Sequence, residues 1–398
     1  IKPHWVEEAL HHIGRPAQIL STTRPPRRSA APRPNDIYVI NYDILQPWVK
    51  WLRSRNPRLI VADECQNIAN PKTKRAKALR KILVGVPHFI ALSGTPLVNR
   101  PSELWNVLNL IDPGEWPAFF SYAQRYCRPE KKPWGWEYKG AVRLPELHAK
   151  LKDSCMIRRT KAQVLSQLPA MRHEVIPFEL SPKDRKEYDR AERDLVGWLQ
   201  SHGRSSRGAE AAEALVKRSY TRRLAGQLKL PDVIEWVQEF LAETEGKIIL
   251  FGIHQDTLGR LHEAFGRSVL INGTVTPRKR RLGVESFRKD PKCRVLLGNY
   301  KAAGAGWNGT VATTVGAVEY PWAPGDLSQA FARIHRIGQS RGCRGLFFTV
   351  KDSIESDLIK TIRRKERNLD MILDGVVSGL GFNLFDRLDE LMTKRVVG

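Results

Sequence analysis

The chain has 398 residues, 41% hydrophobic and 27% charged, the make-up of a globular protein of two or three domains rather than a disordered one. Lys and Arg number 66 against 42 Asp and Glu, a formal net charge of +24; such a field attracts phosphate backbones, although a solvated basic surface is the plainer reading. No run of about 18 apolar residues is present, which excludes a membrane-spanning helix, and the opening "IKPHWVEEAL" lacks the apolar stretch of a secretion signal.

Residues 21–36, "STTRPPRRSAAPRPND", read as an exposed loop. Short apolar runs with β-branched residues follow: "IYVINY" (37–42), "RLIVAD" (58–63) and "HFIALSG" (88–94), with helical stretches such as 73–83 between them. Buried strands alternating with helices predict a parallel α/β sheet. From about residue 115 the chain turns charge-rich and mainly helical, as in 182–200 and 211–230, with "SHGRSSRGAE" (201–210) as a flexible linker. The α/β pattern returns with strand candidates at 247–252, 268–273, 293–299, 314–320 and 345–350. The predicted organisation is an α/β lobe over 1–115, a helical insertion and linker over 116–235, a second α/β lobe over 236–365 and a helical tail over 366–398. Cys65, Cys127, Cys155, Cys293 and Cys343 are scattered without a CxxC pair, which argues against a disulfide framework or a zinc site and for a reducing compartment.

Asp63 and Glu64 end an apolar strand in "LIVADECQ". Carboxylates at the carboxyl end of a strand stand where open α/β sheets bind ligands. One can hold Mg²⁺, and the other can orient or deprotonate a water that attacks a γ-phosphate; an ordinary acidic helix start is the bland alternative. Thirty residues on, the next strand ends in "ALSGTP", whose Ser93, Gly94 and Thr95 form a turn at the same sheet edge, or a plain loop. In "QAFARIHRIGQ" (329–339), Arg333 and Arg336 are three apart on a predicted helix and share one face. Two guanidinia so placed can clamp the charge of a transferring phosphoryl group. A solvated basic helix would explain the arginines but not Gln329, Gly338 and Gln339. Gly304 and Gly306 in "YKAAGAGWNG" directly follow a strand and permit close backbone approach to phosphate or ribose.

Taken in order, "DECQ", "LSGTP", "LFGIH", "ING…R…F", "KAAGAGWN" and "YPWAPGDLSQAFARIHRIGQ" resemble the Swi/Snf family of DNA-dependent ATPases in helicase superfamily two, over nearly the whole chain. "WGWEYKGAVRLPELHAKLKDSCMIRRTKAQVLSQLP" (134–169) is most similar to the annealing-helicase subgroup. The resemblance implies two RecA-like lobes with ATP between them and double-stranded or branched DNA across both. It implies Asp63 and Glu64 as the Mg²⁺ and water-activating pair, Gln66, in place of the usual His, as a nucleotide sensor, and Arg333 and Arg336 as arginine fingers with Gln329 beside them. Gly304 and Gly306 match the loop that meets nucleotide and DNA, and Ser93 and Thr95 would couple ATP state to DNA. Glu319 stands where the family often has Asp, and Trp307 where it has Leu.

No G-x-x-x-x-G-K-[ST] occurs in the sequence. The family's phosphate loop precedes the segment that "IKPHWVEEAL" resembles, so the chain is expected to be a fragment with the first lobe truncated, inactive alone, rather than a degenerate ATPase. Candidate DNA contacts are Lys72 and Lys74, Arg158 and Arg159 in "MIRR", and Arg278, Lys279 and Arg280 in "TPRKRR", with Trp134 and Trp136 as aromatics that stack on a base or pack within the insert. The expected activity is ATP-driven translocation on duplex DNA, with DNA rewinding or fork remodelling as its outcome. A non-catalytic DNA-binding relic and a strand-separating helicase are the alternatives. A monomer without membrane contact is expected, in a bacterial or phage-infected cytoplasm, or in the nucleus of a eukaryote.

Overall fold

The computed structural model describes residues 2–26, 36–133, 135–202, 209–303 and 307–375, and they form two units, one of residues 1–157 with 371–375 and one from 158 to 370.

In the first unit, β1 (Ala17–Leu20) pairs in parallel with β2 (Ile37–Ile40), and β3 (Leu59–Ala62) with β4 (His88–Ala91). The helix Lys74–Leu83 begins at Thr73, whose hydroxyl accepts the amide of Ala76 and satisfies an otherwise orphaned donor. Its Ala76, Leu79 and Ile82 recur on one face and close a core with Leu45, Ala62, Ile68 and Val107. β3 and β4 do not show the burial expected of them: Leu59, Val61 and Ile90 are exposed, because they alternate with the core-facing residues on a sheet that the described residues cover on one face. Further along lie the helices Phe119–Tyr126 and Leu144–Ser154. Between them is an antiparallel hairpin of β5 (Glu130–Lys132) and β6 (Gly135–Glu137).

The second unit is built on one all-parallel six-stranded sheet. Its strands are β7 (Met171–Phe178), β8 (Ile248–Gly252), β9 (Ser268–Ile271), β10 (Val295–Asn299), β11 (Thr314–Ala317) and β12 (Cys343–Val350), in the order β7-β12-β11-β8-β10-β9. β8 is buried throughout because both faces are covered. Ile249 and Phe251 pack with Leu296, Phe331, Phe347 and Ile362, whereas Ile248 and Leu250 pack with Val233, Val237, Leu258 and Phe348. Each such side chain contributes about 1.5–3 kcal/mol.

The parallel α/β class read from the sequence is the one observed. The stretch 116–235 contains more than helix: it carries the β5–β6 hairpin and β7, and the division between the units falls inside it, at 157/158. β7 has no clear strand signal in sequence because "MRHEVIPF" mixes charge with apolar residues, and its eight-residue register with β12 makes it a strand. The helix Ile354–Asp374 runs across the predicted 365/366 boundary. Residues 27–35 of the proline-rich loop, 203–208 of the linker and 376–398 of the tail lie outside the described residues.

Candidate functional site

β3 delivers Asp63 and Glu64 to its carboxyl end. The pairing with β4 continues past both strands, through the amide of Leu92 to the carbonyl of Ala62 at 2.9 Å and that of Cys65 to Leu92 at 2.9 Å. This holds the "DECQ" and "SGTP" turns at one sheet edge. Glu64 adopts left-handed backbone angles, φ +51°, a conformation that costs a non-glycine residue energy and that clusters at functional turns. The Asp63 carboxylate receives the Trp5 indole N–H at 3.0 Å and the Glu64 amide at 2.9 Å, and the Tyr42 hydroxyl donates to the Asp63 carbonyl at 2.8 Å.

From Glu64 a chain of hydrogen bonds leads across the turns. The Gln66 amide donates to Glu64 Oε2 at 2.6 Å, Ser93 Oγ donates to Gln66 Oε1 at 2.7 Å, and the Thr95 amide donates to Ser93 Oγ at 3.0 Å. Four residues singled out in the sequence, Glu64, Gln66, Ser93 and Thr95, are thus joined in one relay. Trp5 and Tyr42 were missed; aromatic side chains in an otherwise ordinary helix and turn carry no sequence signal for contact with an acid 58 or 21 residues away. Lys72 and Lys74 are exposed after the acidic turn. The Cys65 thiol beneath it is pushed up to about 11 by burial, so it stays protonated.

The donor set suits Mg²⁺. Two adjacent carboxylates offer hard oxygens, and this ion is held by one or two carboxylates together with substrate phosphates rather than by an all-protein cage. No cluster of three or more His, Cys, Asp or Glu capable of holding a metal occurs among the described residues.

In the second unit, Arg333 and Arg336 are not on one continuous helix. The helix Pro324–Phe331 ends before them, and a series of turns carries the chain to Gly338, which takes φ +92°. They nonetheless converge: both guanidinia donate to the carbonyl of Trp307, at 3.1 and 3.2 Å, and Arg333 Nε donates to that of Gln329 at 3.2 Å. Gln339 stabilises the turns, its buried amide reaching the carbonyls of Thr310, Ala312 and Ile334 at 3.0–3.2 Å. Trp307 in turn anchors to the Ala303 carbonyl at 2.7 Å. Gly304 and Gly306, between those two residues, lie outside the described residues.

A third cation stands at the arginines. Lys161 Nζ donates to the carbonyl of His335 at 2.6 Å. Burial, with the charges of Arg336 and Arg333, lowers its ammonium to about 8. Lys161 belongs to the "MIRRTK" string, in which nothing local ties it to a residue 174 positions on. Arg158 is half-buried and Arg159 exposed, both just upstream, while Arg280 lies half-buried on the helix Pro277–Lys289 beside β9. Glu319 is nearly fully buried. It accepts the amides of Ile253 and His254 at 2.7 and 2.9 Å, His254 Nδ1 at 2.6 Å and the Thr257 hydroxyl at 3.2 Å. Burial pushes its carboxyl up, but these bonds and the His254 charge outweigh it and hold it below the usual range.

The first unit thus carries an acidic turn tied to a hydroxyl turn, and the second a pair of converging arginines. Residues 2–228 match the SNF2-related domain and residues 232–338 the helicase conserved C-terminal domain, and the chain belongs to the SNF2-related family. It is 30% identical over 338 residues to the Xenopus laevis SWI/SNF-related matrix-associated actin-dependent regulator of chromatin subfamily A-like protein 1, covering 83% of this chain and 34% of that protein. It is 31% identical over 333 residues to the Mus musculus DNA annealing helicase and endonuclease ZRANB3, covering 81% of this chain and 31% of that protein. The chain thus spans about a third of the length of these relatives. Among solved structures, the Sulfolobus solfataricus SWI2/SNF2 ATPase core in complex with dsDNA is 22% identical, with 91% of this chain and 76% of that one covered and a TM-score of 0.41. The family resemblance read from the motifs is therefore correct.

Proposed function

We propose that this chain forms the motor core of a DNA-dependent ATPase that translocates on double-stranded DNA and rewinds or remodels branched structures. The observation that carries the reading is the relay from Glu64 through Gln66 and Ser93 to Thr95. It ties the acid that would accept a proton from the attacking water to the turn that would respond to DNA. Asp63 and Glu64 would hold Mg²⁺, which supplies positive charge to the phosphates when bound. Arg333 and Arg336 would leave the Trp307 carbonyl to neutralise charge on the phosphoryl oxygens, and Gln329 would steady Arg333 through its carbonyl. Lys72, Lys74, Arg158, Arg159 and Arg280 would follow backbone phosphates, which is binding without base readout. In a eukaryotic cell such a protein would work in the nucleus.

The test is a triplex-displacement assay run beside a fork-unwinding assay with the full-length protein and ATP. Third-strand displacement without duplex separation is expected. Duplex separation without triplex displacement would favour a strand-separating helicase, and DNA binding without turnover a relic that only binds.

A further inference from the structure

The β5–β6 hairpin displays an aromatic side chain that the fold covers only in part. Trp136 is 47% exposed, and the Phe120 ring beside it, 5.7 Å away and nearly perpendicular, is 43% exposed. Lys131 pairs with Trp136 in the antiparallel register, so both stand on the same face of the hairpin. The acids lie elsewhere: Glu130 is bound to Lys132 at 2.8 Å and Glu137 to Lys139 at 2.7 Å. Over residues 128–143 five basic residues face two acidic ones, a net charge of +3.

The base of the hairpin is packed and hydrogen-bonded. Tyr138 packs edge-on against Phe119 at 4.8 Å, and Phe119 against Trp105 at 5.4 Å. The Val142 amide closes the hairpin base on the Tyr126 carbonyl at 3.0 Å. At Gly140 a side-chain carbon would come within 2.7 Å of Arg128 Cβ and the Cys127 carbonyl, so the base admits only glycine there. An aromatic beside a cation that forms no ion pair among the described residues is the pairing with which proteins grip unpaired nucleotides, base on ring and phosphate on ammonium. Bases inside a duplex have no free face to offer.

We propose that Trp136, with Phe120 and Lys131, forms a binding site for an unpaired base and its phosphate in single-stranded DNA next to the duplex that the motor holds. The site rests on the DNA-motor reading, and it would direct that motor to junctions. The experiment measures affinity for a flush duplex and for the same duplex carrying two single-stranded arms, in the full-length protein without nucleotide. Wild type should bind the armed DNA more tightly. Trp136→Ala should weaken armed-DNA binding by about 5- to 150-fold, the effect of losing one stacked base, and leave flush-duplex binding within about twofold. Trp136→Phe should retain most of the affinity, and Lys131→Gln should lower the salt slope on armed DNA alone by about 0.7. Equal weakening on both DNAs by Trp136→Ala, or no weakening on either, would overturn the site. Wild type that binds both DNAs equally would overturn it while leaving the motor reading intact, and wild type that binds neither would overturn both.

Discussion

Lys161 allows a quantitative check of the cation cluster. Its ammonium, ordinarily at 10.5, is held at about 8 by burial and by Arg336 and Arg333. Below about pH 8 both the folded and the unfolded chain carry the proton, and the folded state bears the full cost of keeping that charge among guanidinia. Between about 8 and 10.5 the unfolded chain holds the proton that the folded one has released, so stability rises with pH. At 1.36 kcal/mol per pH unit the whole interval is worth about 3 kcal/mol, or about 2 once solvent reaching a half-buried ammonium is allowed for. Lys161→Met has no proton to lose. Urea unfolding of both proteins at pH 7, 8, 9 and 10 should show wild type gaining about 1.5–2.5 kcal/mol on the variant across the series, because all other groups titrate alike in the two. A difference that stays constant within about 0.5 kcal/mol would refute the reasoning, and with it the placement of Lys161 beside the arginines.

Three other outcomes follow from the same geometry. Glu64→Gln in the full-length protein should abolish ATP turnover while DNA affinity, read by anisotropy, stays within about threefold, because the amide keeps the shape but cannot accept a proton. Ser93→Ala removes the donor to Gln66 and the acceptor for the Thr95 amide; chemical denaturation should report a loss of about 1–3 kcal/mol, and steady-state assays a smaller stimulation of ATP turnover by DNA. Duplex affinity should fall by about 10³–10⁵ between 50 and 200 mM salt with little dependence on base sequence, and Lys72→Gln should reduce the salt slope by about 1; a strong preference for one short sequence would contradict backbone tracking.

The sequence alone determined the α/β class, the two acidic and hydroxyl turns at strand ends, and the family. These are local features: an apolar run followed by "DECQ" or "SGTP" needs no distant partner to be read, and alternating apolar runs and helices imply parallel strands. Tertiary structure decided the contacts made across long separations. It supplied Trp5 to Asp63 and Lys161 to the carbonyl of His335. It made "MRHEVIPF" a strand through β12 and turned Trp136 outward. It also replaced the expected helix face of Arg333 and Arg336 with a shared carbonyl acceptor, so the convergence holds for a reason other than helical spacing. Periodicity shows which residues share a face, but the partner of a polar side chain is chosen by whichever unsatisfied group the folded chain brings within about 3 Å, and that is a property of the packed chain rather than of any segment.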